Sequence, residues 1–93
     1  MTVAETIRTK LEAAFAPESL DIRDESGMHA GHAGARPGGE THFRVSIVSK
    51  AFEGKSRVER HRQVHEALDA ELKGRVHALA LTLLTPDERA HRM

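Results

Sequence analysis

Residues 42–84 read HFRVSIVSKAFEGKSRVERHRQVHEALDAELKGRVHALALTLL, and this stretch decides the fold. Its start, HFRVSIVS, alternates Phe43, Val45 and Ile47 with His42, Arg44 and Ser46, the period of a strand buried on one face. Its end, VHALALTLL, is nearly continuous apolar sequence, as expected of a strand covered by helices on at least one face. Between them SRVERHRQVHEALDAELKG reads as one helix. Ser56 and Glu59 fit a capping box, and Gly74 suits a left-handed position just past the end. Val58, His61, Val64 or His65, Leu68 and Leu72 mark its inner face. Phe52 and Gly54 turn the chain ahead of it. A helix joining two neighbouring strands most simply makes a right-handed crossover, so the strands should lie parallel.

Working outward, TVAETIRTKLEAAF is an amphipathic helix capped by Thr2 with Glu5, its stripe formed by Val3, Ile7, Leu11 and Phe15, and Pro17 ends it. SLDIRDE is a short strand with Leu20 and Ile22 on one face, joined to HFRVSIVS as an antiparallel hairpin through a long connection at residues 25–40. At the other end, TPDERAHRM starts one more helical turn, with Thr85 as cap, Pro86 at the first position and Glu88 closing the box. Residues 89–93 are expected to be a frayed tail. The expectation is an α+β fold of order αββαβ(α), a three-stranded mixed sheet with helices on one face, in a single domain over residues 1–93.

Composition narrows the function classes. The 14 basic and 14 acidic side chains cancel, which argues against a blanket polyanion-binding surface but leaves room for a local basic face. With no cysteine, the chain has no disulfide, no thiolate nucleophile and no sulfur ligand of its own. No apolar run approaches a membrane span and no signal-peptide core is present, so a soluble cytoplasmic protein without membrane partners is expected. Seven histidines in 93 residues are the feature that needs a reason.

Three of them fall in DESGMHAGHAGARPGGETHF, residues 24–43. A glycine-rich connection can be no more than solvated chain, yet long loops in compact domains are disproportionately functional. Parallel strands begin at the same end of a sheet, so the loop histidines and His77 should meet at one end of the molecule.

The chain resembles the BolA family through IRTKLEAAFAPESLDIRDES, ETHFRVSIVSKAFEGKSRVERHRQVHEAL and VHALALTLLTPDE, nearly its whole length. The more specific pieces are THFRV, the FEG…RHR segment and VHAL. The family's fold, a class II KH-like arrangement, matches the element order read above. The resemblance implies a monothiol glutaredoxin with a CGFS active site as partner, and a bridging [2Fe–2S] cluster shared with it, in iron–sulfur trafficking or iron-responsive regulation. It further implies His77 of VHAL as one metal ligand and, by position after DES, His29 as the loop ligand, with His32 of the HAGHAG repeat as competitor.

The chemistry is consistent with that implication. Imidazole ligates iron, but two histidines fill only part of the set that such a cluster requires. With no cysteine here, the remaining ligands must come from elsewhere, and a partner cysteine with a glutathione thiol would complete them. No cluster is expected in the isolated chain. His42 is expected to face solvent, His61 to pack or support the site, His65 to lie on the surface or pack, and His91 to sit in the tail. None of these four is assigned to metal.

GKSRVERHR is the segment to weigh for nucleic acid, because Lys55, Arg57, Arg60 and Arg62 are placed to contact phosphate. The GXXG clamp of KH modules is incomplete, since Arg57 stands where the second glycine belongs. Some BolA-like proteins are regarded as transcriptional regulators, so DNA binding is the alternative reading. An enzyme is not expected. No nucleophile has a paired base at a recognisable spacing, and GHAGARPGG lacks the lysine and the strand-to-helix setting of a phosphate loop.

Overall fold

The first helix, α1 (Val3–Phe15), begins where Thr2 Oγ1 accepts the Glu5 N–H at 3.1 Å and buries Ile7, Leu11 and Phe15. The computed structural model describes residues 2–25, 42–74 and 76–92. The chain leaves α1 through Ala16, whose left-handed backbone (φ 43°) lets its N–H reach Glu12 O. Strand β1 (Ser19–Asp24) follows, then β2 (His42–Val48), a 3-10 turn at Lys50–Phe52, helices α2 (Arg57–Ala67) and α3 (Asp69–Lys73), strand β3 (Ala78–Leu84) and helix α4 (Pro86–Arg92).

The sheet has three strands in the order β1–β2–β3. β1 and β2 are antiparallel, with Leu20 opposite Ile47 and Ile22 opposite Val45. β2 and β3 are parallel, with His42 opposite Ala78 and Val48 opposite Leu84. The parallel pairing expected from residues 42–84 is therefore the observed one. Phe43, Val45, Ile47 and Leu83 point into a core with Ile7, Leu11 and Phe15 of α1 and Val64 and Leu68 of the α2 region. On the other face Arg44, Ala78 and Ala80 are exposed. Among the described residues no helix is long and apolar enough to cross a membrane.

Four local expectations need correction. The helix after the crossover turn is not continuous. Leu68 leaves helical geometry (φ −106°, ψ 20°) and divides α2 from α3. The apolar spacing of Val64, Leu68 and Leu72 continues across the break, so periodicity does not mark it. A long-range contact holds α3 instead, for Lys10 Nζ donates to both Glu71 carboxylate oxygens at 2.8 Å.

The inner face of α2 is also rotated. Val58 is 66% exposed and His61 is exposed, whereas Arg60 and Val64 are buried. Gly74 is not left-handed (φ −99°), because its N–H already reaches Ala70 O and Glu71 O without that turn. Gly54 (φ 77°) is where positive φ is used. Finally, α4 runs to Arg92, longer than a single turn.

α4 starts on a complete capping box. Thr85 Oγ1 accepts the Glu88 N–H at 3.2 Å, and Glu88 Oε1 accepts the Thr85 N–H at 2.8 Å. The same carboxylate takes Arg60 Nη1 at 2.6 Å, which ties α4 back to α2.

Candidate functional site at one end of the sheet

The register of β2 against β3 sets this end of the molecule. His42 lies opposite Ala78, so His77 stands one residue before β3 and beside the start of β2. β1 finishes at the same end, where Glu25 N donates to His42 O at 2.7 Å. Glu25 and His42 flank residues 26–41; His42 stands beside His77, and Glu25 lies across β2 from it.

His77 is exposed and His42 half-buried. Their ring centroids are 6.5 Å apart, and the ring planes are inclined by 29°. Beside them Arg44 Nε donates to Glu25 Oε2 at 3.1 Å, on the sheet face away from the helices. His29 and His32 lie outside the described residues. His42 does not simply face solvent, as the alternation of its strand suggested, for it meets the one ligand candidate that the structure describes. The signal was present in the sequence, since residues 42 and 77 both lie at the starts of parallel strands, but alternation alone reports a face and not a neighbour.

Among the described residues no group of three or more His, Asp or Glu side chains is arranged to hold a metal ion. What this end offers is two imidazoles. Imidazole is a donor that suits iron, copper, nickel and zinc.

The basic segment changes more. Arg57 and Arg62 are exposed and Lys55 half-buried, but Arg60 is 7% exposed and leaves the phosphate-contacting set. Its Nε donates to Lys55 O at 3.0 Å, and Nη1 to Leu83 O at 3.1 Å and to Glu88. Its guanidinium carbon lies 5.9 Å from the Phe52 ring centre. Arg60 is a fastener of the fold. The hydrogen bonds from Arg60, and then from the Thr85 N–H, hold the Glu88 carboxyl well below the usual carboxylate range, at about 2.

A groove of about 640 Å³ runs between α2 and α4 along Leu81–Leu84, toward the other end of β3 from His77. His61 and His91 on its walls each place Nδ1 against the carbonyl four residues earlier, at 2.8 Å and 2.7 Å. His65 is exposed on α2.

Comparison with known proteins agrees with this architecture. The family model described as BolA-like protein matches residues 11–88. The chain is 57% identical over 84 residues to BolA-like protein 1 of Bos taurus, covering 90% of this chain and 59% of that protein. It spans about three-fifths of that relative's length. It is 38% identical over 88 residues to the DNA-binding transcriptional regulator BolA of Haemophilus influenzae, covering 95% of this chain and 82% of that one. Among solved structures it is similar to the BolA domain of SufE1 from Arabidopsis thaliana, with a TM-score of 0.85 and 45% identity, covering 95% of this chain and 96% of that one. From the VHAL histidine beside β2 to the αββα(α)βα order, the chain belongs to the BolA-like family.

Proposed function

We propose that this chain is a non-enzymatic adaptor that binds a monothiol CGFS glutaredoxin and co-ligates a bridging [2Fe–2S] cluster, in iron–sulfur cluster trafficking or iron-responsive regulation. The observation that carries the reading is the exposed imidazole of His77, held at the end of a parallel strand pair in a chain without cysteine. A donor in that position is open to a second protein, and the rest of the set must come from that protein and from glutathione. When bound, such a cluster supplies a one-electron centre, and histidine ligation of one iron raises its reduction potential. His77 fits as a ligand by donor type and exposure. His29, with His32 as alternative, is the proposed loop ligand.

The test is reconstitution of the chain with a CGFS glutaredoxin, glutathione, iron and sulfide, followed by visible absorption and circular dichroism. His77→Ala should abolish or reshape the mixed-cluster spectrum. An unchanged spectrum would remove His77 from the ligand set, and absence of any mixed cluster would remove the adaptor reading itself.

A second reading, a nucleic-acid-binding regulator, is favoured by the similarity to the DNA-binding transcriptional regulator of Haemophilus influenzae and by the exposed Arg57 and Arg62 on α2.

A further inference from the structure

β3 forms one edge of the sheet, since the strand order is β1–β2–β3. The two edges differ. β1, SLDIRD, carries Asp21, Arg23 and Asp24, the kind of charge that keeps an edge from pairing with another chain. β3, ALALTLL, has neither a charge nor a proline. Two hydrogen bonds give the direction of its backbone groups. Leu84 O accepts the Ser49 N–H, just past β2, at 2.9 Å, so Leu84 faces β2. Main-chain groups of successive strand residues point to opposite edges, which turns Leu81 and Leu83 outward. Arg60 Nη1 reaches Leu83 O at 3.1 Å on that outer side. Leu81 N–H, Leu81 O and Leu83 N–H are left, and among the described residues no strand lies beyond β3 to pair with them.

This part of the edge opens into the groove of about 640 Å³ between α2 and α4, which Leu81–Leu84 line. Arg57 stands on the α2 wall and Asp87 on the α4 wall, both exposed. Among the described residues neither side chain is in an ion pair. The other two charged residues of the walls, Arg60 and Glu88, neutralise each other.

We propose that this groove receives an extended segment of a partner protein, which joins the sheet as a fourth strand beside β3. The segment is apolar where it meets Leu81 and Leu84, and it carries a carboxylate for Arg57 and a cationic side chain for Asp87. Main-chain hydrogen bonds give an added strand its affinity, and side-chain contacts give it specificity. Successive side chains of a strand point to opposite sides, so its acid and its base stand at an odd spacing. Helices on both sides of the edge favour one strand over a second copy of this chain, which would bring its own α2 and α4 to the same place. Arg60 ends the new ladder by holding Leu83 O. The groove lies toward the other end of β3 from His77 and does not depend on the cluster site.

The probes are blocked heptapeptides of alternating valine and threonine, with one glutamate and one lysine at odd spacings in both orders. Each is added to the full, isotope-labelled chain and followed by amide NMR and hydrogen exchange. The Leu81 and Leu83 amides should shift, and their exchange should slow by about tenfold or more on binding. The amides of Thr82 and Leu84, which point toward β2, should change little. N-methylation of one alternate set of peptide residues should abolish binding, and methylation of the other set should leave it within about threefold. Arg57→Glu should weaken the peptide by about tenfold or more, and replacing the peptide's glutamate with lysine should restore it.

The proposal is overturned if no peptide moves the Leu81 and Leu83 amides, or if both N-methylated sets bind alike. Protection of these amides in the free chain that rises with its concentration would assign the edge to a second copy instead. A DNA duplex that shifts them where no peptide does would assign the groove to nucleic acid.

Discussion

Arg60 and Ser49 show how single polar side chains hold this domain together from inside. Ser49 is 1% exposed; its hydroxyl donates to Phe15 O at 2.6 Å and accepts the Ala51 N–H at 3.0 Å. That one atom fastens the end of α1 to the turn that leads into Phe52, whose ring lies 5.1 Å from Phe15. Ser49→Ala leaves a buried carbonyl and a buried N–H without their partner, and should cost about 1–3 kcal/mol in denaturant unfolding at unchanged m-value. A loss below about 0.5 kcal/mol would mean that water takes over both bonds. Neither residue's role is legible from hydropathy. Arginine and serine read as surface residues, and Arg60 is buried because its guanidinium lies over Phe52 and finds Leu83 O and Glu88, which arrive from elsewhere in the chain.

The elements were written locally to very different degrees. All three helix starts with a capping pair, Thr2–Glu5, Ser56–Glu59 and Thr85–Glu88, are found at those residues, because a cap depends on neighbours within one turn. The break at Leu68 and the rotated face of α2 were not legible, since contacts with α1 and α4 decide them. The docking of α4 has a pH signature. Glu88, side chain 45% exposed, is held at about 2 against an ordinary value of 4.5, and a depressed folded value stabilises the charged form. Its contribution is complete above about pH 4.5 and is lost as pH falls toward about 2. Carbon NMR of the Glu88 carboxyl should titrate in that low range in the folded chain and move toward the ordinary value in Arg60→Ala. A midpoint near 4.5 in the unaltered protein would show that the pair does not hold α4.

At the scale of the whole molecule, balanced charge makes any nucleic-acid contact a local affair of the α2 region. If the regulator reading holds, affinity for a DNA duplex falls steeply with salt, and Arg57→Ala lowers both the affinity and the salt slope by about one phosphate contact. Arg60→Ala should instead lower the melting temperature, because its guanidinium bonds inside the protein. No mobility shift of any duplex at low salt would remove that reading. The sequence by itself determined the element order, the antiparallel hairpin and the parallel crossover, since period, capping and chain direction are local properties and a helix between two strands has one favoured hand. It also determined that His77 leads into β3 in a chain without cysteine. Only the tertiary structure decided that His42 stands beside His77, that Arg60 turns inward and that α3 separates from α2. Each of these depends on a distance between residues far apart in the chain, and such distances are set when the whole core packs.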